Sequence, residues 1–268
     1  MDSAILQSSE SPVCVGTAGW SIPSQHAAGF QSEGSHLERY SQVLTCAEIN
    51  SSFYRPHRPS TYSRWADSTP DRFRFSVKAP KSITHEAALA PAPAQLQTFL
   101  DEVRHLGSKL GPILFQLAPR HEFQELRARE FLTMFRELCC DGPAAFEPRN
   151  PSWFSPKAEE LFRQFNIARV MADPSPSGEA AHPGGSSGLV YYRLHGSPRV
   201  YHSSYSEHWL KELACDIPKD SLAADVWCIF DNTASGGAIQ NAITLSANLA
   251  LRRFGSSRIQ KASNHAAD

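Results

Sequence analysis

The feature that most restricts this chain is a recurrence of short apolar runs. Each ends in polar residues, and most are followed by a segment of helical period. The runs lie at residues 13–20, 46–53, 72–79, 112–118, 144–149, 168–173, 189–196 and 225–233. About eight strands alternating with helices is the count of a closed parallel barrel. The helix candidates carry the matching stripe: Leu96, Phe99, Leu100 and Val103 within 94–106, and Leu126, Phe131, Met134, Phe135 and Leu138 within 125–139. Ser155-Pro156 reads as an N-cap followed by proline at the first helical position, opening a helix through Phe165. Segments 206–214 and 238–251 complete the set. Two connections depart from the ideal. The first, around 35–43, holds only a short helix, and 174–187 is too rich in Pro, Gly and Ser to be a long one. The expected architecture is therefore a single imperfect α/β barrel with at least one helix replaced by a loop. A doubly wound open sheet is its rival, but neither G-x-G-x-x-G nor G-x-x-x-x-G-K-[ST] opens a helix here.

A barrel of this kind needs about 250 residues, and the chain has 268, 41% of them hydrophobic and 20% charged, so one sizeable core can be buried. The expected division is a flexible tail at 1–12, a barrel at 13–254 and a second tail at 255–268. A formal net charge of −1 gives no global field to gather polyanions. No stretch reaches the roughly 18 apolar residues of a membrane span. Met1 to Ser11 lacks the basic start and apolar run of a secretory signal. The six cysteines show neither a C-x-x-C pair nor a zinc-like spacing. These observations predict a cytoplasmic chain with free thiols and no membrane partner.

Side chains two apart on a strand share a face, so polar residues at strand ends mark what points into a barrel mouth. The second strand ends in Glu48, Asn50 and Ser52, the third in Ser76 and Lys78, the fifth in Glu147 and Arg149, the seventh in Arg193 and His195. Gln116, Asp173 and Asp231 end others, the last followed by Asn232 and Thr233. Active sites of parallel barrels lie at these ends. Glu48, His195 and Asp231 are the candidates for moving protons, His195 because it titrates near neutrality. Asn50, Lys78, Gln116, Glu147, Arg149, Asp173, Arg193, Asn232 and Thr233 are the candidates for holding substrate. Lys78 and Arg193 are expected to grip an anion, aided by helix N-terminal amides after Asn232. The competing structural account pairs Glu48 with Lys78, and Arg149 with Glu147 or Asp173, as buried ion pairs. The carboxylates and His195 are also metal-ligand types, but Lys78, Arg149 and Arg193 share their mouth and would repel a cation; no metal and no cofactor are expected.

These strand ends coincide with motifs of a known family. Val15-Gly16-Thr17-Ala18-Gly19-Trp20, Ala47-Glu48-Ile49-Asn50-Ser51-Ser52-Phe53-Tyr54 and Phe73-Arg74-Phe75-Ser76-Val77-Lys78-Ala79-Pro80 resemble the domain of unknown function 72 (YecE-like) family. So do Gly111-Pro112-Ile113-Leu114-Phe115-Gln116-Leu117, Phe146-Glu147-Pro148-Arg149, Tyr192-Arg193-Leu194-His195-Gly196 and Phe230-Asp231-Asn232-Thr233. The resemblance runs from about Val13 to Leu251 and implies a TIM-like barrel. It implies no settled activity.

Three functions remain in competition. One is an enzyme without redox cofactor, acting on a small anionic, phosphorylated substrate by acid–base chemistry. Another is a nucleic-acid-binding or phosphodiester-processing barrel, suggested by 55–81, where seven basic residues are interleaved with Phe53, Tyr54, Tyr62, Trp65, Phe73 and Phe75. The third is a non-catalytic barrel that binds a small anion. The spacing of Tyr62 and Trp65 also fits the buried face of a helix. Sequence leaves the oligomeric state open.

Overall fold

A computed structural model describes residues 13–221 and 224–265; the segment expected as an N-terminal tail, 1–12, lies outside the described residues. The strands are β1 (Cys14–Ala18), β2 (Cys46–Ile49), β3 (Arg74–Lys78), β4 (Leu110–Gln116), β5 (Ala144–Glu147), β6 (Ala168–Arg169), β7 (Met171–Asp173), β8 (Gly184–Gly185), β9 (Leu189–Leu194) and β10 (Asp225–Phe230). Their order in one sheet is β7-β9-β10-β1-β2-β3-β4-β5-β6-β8, all neighbours parallel except β6 and β8. Closure happens at residues 168–173. Its first half, β6, pairs with β5, and its second half, β7, pairs with β9, with only Val170 between them. Val170 N donates to Phe146 O at 2.8 Å, so the run stays attached on the β5 side as it turns to β9. Counted once, that run makes eight parallel strands around a barrel, as the apolar runs predict.

The helices are α1 (His36–Val43), α2 (Pro59–Asp67), α3 (Pro93–Val103), α4 (Glu125–Leu138), α5 (Pro156–Gln164), α6 (Glu207–Ser221) and α7 (Gly237–His265). Local chemistry sets their starts. Ser35 and Glu38 form a reciprocal capping box on α1, and Ser155 caps α5 ahead of Pro156. Among the described residues no α-helix lies between β7 and β9. A short 3-10 turn (Gly178–Ala181) and β8 fill that crossover, held by Arg169, whose guanidinium pairs with Glu159 and donates to His182 O at 3.1 Å.

Three helix readings need correction. Leu126 is 78% exposed, because the buried stripe of α4 is Ala128, Phe131, Leu132 and Phe135. The helix expected at 206–214 continues to Ser221, past Pro218. Its core stripe of Leu210, Leu213, Ala214 and Ile217 outweighs the break that proline signals. Helix α7 runs beyond Leu251 to His265, so its backbone occupies much of the segment expected as a C-terminal tail.

Two apolar cores follow from the alternation of strand side chains. Outward residues such as Phe75, Phe115, Phe146 and Phe230 pack beneath the helices. Inward residues, among them Cys46, Leu114, Ala145, Ala168, Tyr191, Trp227 and Ile229, fill the barrel. Tyr191 and Trp227 stack with ring centroids 6.4 Å apart and planes within 2°. Two glycines make this interior fit. A methyl on Gly16 would lie 2.0 Å from Cys46 O, and one on Gly111 would lie 2.4 Å from the Trp227 ring. Among the described residues no two cysteines form a disulfide.

Overpacking a rigid interior costs about 1–3 kcal/mol. Urea unfolding should therefore show Gly16→Ala and Gly111→Ala each losing stability of that order. Gly188→Ala, whose added methyl meets only Ser186 Oγ at 3.8 Å, should stay near wild type.

Candidate functional site

The inward face that is apolar low in the barrel becomes ionic two residues further along the same strands. Cys46 is followed by Glu48, Leu114 by Gln116, Ala145 by Glu147, Tyr191 by Arg193 and His195, and Ile229 by Asp231. In a parallel barrel all these positions rise to one end. The structure brings most of them into one hydrogen-bonded layer.

Arg193 is its centre. The guanidinium is fully buried and reaches three carboxylates from three other parts of the barrel. Nε donates to Glu48 Oε2 at 3.0 Å and Nη2 to Glu48 Oε1 at 2.7 Å, a two-point grip. Nη1 donates to Glu147 Oε2 at 3.1 Å, and Nη2 lies 3.1 Å from Asp231 Oδ2. Tyr191 Oη donates to Glu48 Oε2 at 3.0 Å, with Ser76 Oγ 2.9 Å from the same hydroxyl.

Glu147 is saturated. Each of its oxygens accepts two bonds: Arg193 at 3.1 Å and Gln116 at 3.0 Å on Oε2, His195 at 2.7 Å and Arg149 at 3.0 Å on Oε1. Burial alone would raise its pKa, but Arg193, His195 and Arg149 outweigh burial and hold it well below the usual carboxylate range. Asp231 is lowered in the same way, burial being opposed by Arg193, His195 and Lys78.

His195 lies between these two carboxylates. Nε2–H donates to Glu147 and Nδ1–H to Asp231 Oδ2 at 3.0 Å. Carboxylates only accept, so both ring nitrogens carry protons. Burial pulls the pKa down, yet Glu147 and Asp231 raise it overall. As an imidazolium, His195 has no lone pair with which to act as a base; the proton-donating half of its expected role remains.

Lys78 differs from its neighbours. Among the described residues its ammonium forms no hydrogen bond or ion pair; it sits over the Phe53 ring, 4.1 Å from the centroid. Burial and the nearby Arg193 charge bring its pKa down to about 8, against the pull of Glu48, Glu147 and Asp231. Exposure grades the layer. Glu48, Glu147 and Arg193 are sealed, whereas the side chains of Arg149 and Asp231 keep 21% and 7% of their surface and Lys78 keeps 5%. Two cations and one carboxylate thus face the mouth over a closed ionic base.

The remaining candidates stand elsewhere. Asp173 accepts from Tyr205 Oη at 2.7 Å, and that hydroxyl accepts from Gly196 N at 2.9 Å, so Asp173 shapes the loop after β9. Asn232 is buried, its Nδ2 donating to Ser203 O and Asn241 Oδ1, each at 2.9 Å. Asn50 and Thr233 line a cavity of about 530 Å³ beside the ionic layer, with Trp20, His36 and the start of α7. None of the charged side chains lines that cavity. Three expectations therefore change. Arg193 is spent on carboxylates rather than free for an anion; Glu147 has no acceptor position left for a ligand; Glu48 pairs with Arg193, not Lys78. Arg149 pairs with Glu147, as the structural account expected.

Sequence reasoning passes over Tyr191 and Tyr201, and places Phe53 only among the aromatics of the basic segment. The first was legible, lying two residues before Arg193 on the same face. Tyr201 was not: it belongs to the loop after β9, adopts φ +66°, and sets its ring edge-to-face with His195 at 5.8 Å. A bulky side chain in left-handed backbone is strained and needs support, here from Tyr201 N to His195 O at 2.6 Å and Ala234 N to Tyr201 O at 3.0 Å.

The fold and site define a TIM-like β/α barrel whose mouth is floored by a sealed ionic layer. Among the described residues no helix is long and apolar enough to cross a membrane. A family model described as "Protein of unknown function DUF72" matches residues 14–265, and the chain belongs to that family. UPF0759 protein YecE of Escherichia coli K12 is 30% identical over 177 residues, which cover 64% of this chain and 62% of YecE. The match thus spans less than two thirds of that relative. UPF0759 protein YunF of Bacillus subtilis is 24% identical over 263 residues, 85% of this chain and 92% of YunF. Crystal structures of DUF72 family proteins from Enterococcus faecalis and Thermotoga maritima superpose with TM-scores of 0.76 and 0.73 at 21% and 23% identity. They cover 89% and 88% of this chain, and 95% and 98% of their own. At that identity they bear on the fold alone.

Removing the hub should strand Glu48 and take one cationic partner each from Glu147 and Asp231. Arg193→Met is expected to cost about 3–5 kcal/mol in urea unfolding; a loss under 1 kcal/mol would contradict the hub role. The raised His195 pKa carries a pH signature. Its stabilisation is complete below the unfolded value of 6.5 and is lost as pH rises through the higher folded value. Wild-type unfolding free energy should fall across that alkaline window, and His195→Gln should flatten this fall.

Proposed function

We propose that the mouth is the active site of an enzyme that takes a small anionic, phosphorylated substrate and works by acid–base chemistry without a redox cofactor or metal. The observation that carries this is the graded exposure of the ionic layer. Glu48, Glu147, Arg193 and His195 satisfy one another below, while Lys78 keeps accessible surface and no paired anion among the described residues. Leaving an ammonium unpaired in a nearly closed site is costly, and an incoming anion removes that cost. Lys78 and Arg149 receive the anion in this reading. Asp231, open to the mouth and bonded to the doubly protonated His195, exchanges the proton. Cytoplasmic location belongs to the same reading.

The nucleic-acid alternative draws less support. Tyr62, Phe73 and Phe75 are fully buried and cannot stack on bases. Arg72 and Arg74 stand at the N-terminal end of β3, the opposite end from Lys78.

At ten times the dissociation constant, a ligand adds about 1.4 kcal/mol, on the order of 3 °C in Tm. Inorganic phosphate should raise wild-type Tm by that order beyond chloride of matched ionic strength, and Lys78→Met and Arg149→Met should each remove most of the rise. A wild-type response no larger than that to chloride would refute the anion reading. Elemental analysis finding stoichiometric Mn or Zn in protein purified without added metal would refute its metal-free part.

A further inference from the structure

Lys78 has a position that anion binding alone does not require. A residue serving only as a positive charge would be as effective paired and exposed, like Lys81 three residues on, whose ammonium meets Glu86 at 3.2 Å. Lys78 instead ends β3 with its stem buried and its nitrogen against the Phe53 ring, unbonded among the described residues. An amine held without hydrogen-bond acceptors keeps its nitrogen lone pair available once it loses a proton. Burial of the nitrogen favours that loss first, and the fully buried Arg193 cation, held in place by Glu48 and Glu147, favours it further.

We propose that Lys78 is a nucleophile that forms an imine with an aldehyde or ketone group of the anionic substrate. The inference rests on the anionic-substrate reading and narrows it to carbonyl compounds bearing a phosphate or carboxylate, with Arg149 left as the anion's anchor. The neutral amine adds to the carbonyl carbon, forming a C–N bond as the C=O π bond breaks, and one proton passes from nitrogen to the former carbonyl oxygen. The C–O bond of the resulting carbinolamine then breaks, nitrogen gives up its remaining proton, and one water leaves. Amine and carbonyl become imine and water, with nothing oxidised or reduced. Asp231 suits the proton transfers. Its side chain keeps accessible surface, lies within electrostatic range of Lys78 and, as a carboxylate bonded to the His195 imidazolium, can accept the protons that nitrogen gives up. The Arg193 charge and the Phe53 face then hold the nitrogen where both steps need it, above the sealed layer.

The test uses the whole protein with glyceraldehyde 3-phosphate and, separately, uncharged glyceraldehyde, each with sodium cyanoborohydride, which reduces an imine to a stable amine. Peptide mass spectrometry reads the adduct at each lysine. Adduct at Lys78 is expected to form about tenfold or more faster than at exposed Lys81, with a rate that rises to its plateau near pH 8 rather than following the ordinary lysine range. The phosphorylated aldehyde should be preferred in wild type but not in Arg149→Met. Lys78→Arg, which keeps the charge and the fold, should lose the adduct. Labelling of Lys78 no faster than Lys81 with both aldehydes would overturn the imine even if phosphate still raises Tm. Fast labelling at Lys78 with no preference for the phosphorylated aldehyde would leave the imine standing and overturn the anionic substrate. Because wild-type Lys81 is the internal reference, the result does not depend on any variant folding.

Discussion

Arg193 is the side chain on which the barrel's upper half depends. One fully buried guanidinium on β9 reaches across the interior to Glu48 on β2 and Glu147 on β5, and sideways to Asp231 just past the neighbouring β10. Taking such groups out of water costs several kcal/mol per ion, and attraction repays that only where geometry is good and leftover lone pairs are filled. Both conditions hold: the Glu48 contact is two-pronged, and Tyr191, Gln116 and Arg149 complete the acceptors. The layer therefore behaves as an ionic plug above the apolar filling of Tyr191, Trp227 and Leu114.

That plug determines what the mouth can offer a ligand. Three carboxylates share the guanidinium and the imidazolium beneath, and Lys78 and Arg149 are the cations of this cluster that keep accessible surface. A histidine held between two carboxylates keeps both protons, while a lysine that is buried and lies near a fixed arginine loses one more readily. Burial lowers both pKa values; at His195 the bonded Glu147 and Asp231 outweigh it, whereas at Lys78 burial and Arg193 outweigh the more distant carboxylates.

Above the plug, the loop after β9 closes over His195 through strain and hydrogen bonding together. Tyr201 holds a left-handed backbone, Tyr205 ties Gly196 to Asp173, and Asn232 links Ser203 to Asn241 at the start of α7. Asp173 and Asn232, expected to meet substrate, instead fix the shape of this rim. The neighbouring cavity of about 530 Å³, with Trp20 on its wall, opens beside the rim and carries no charged side chain of the ionic layer.

Much of this was legible in the chain itself. Eight apolar runs gave eight strands, and a period of two told which residues would share the barrel interior, because successive side chains on a strand must point to opposite faces. Hence the period places Glu48, Gln116, Glu147, Arg193, His195 and Asp231 on the inward face, where hydrogen bonds and ion pairs join them, and the Pro/Gly/Ser composition of 174–187 excludes a long helix. Partnership was not legible. Whether Glu48 would find Lys78 or Arg193 depends on which side chains cross the barrel axis, and that is set by strand stagger and closure at 168–173. Nor could sequence show that Lys78 would be left without a paired anion among the described residues, or that Tyr201 would fold back onto His195. Periodicity fixes the face a side chain occupies; only tertiary packing fixes the distance to the charge on the opposite strand, and electrostatic roles depend on that distance.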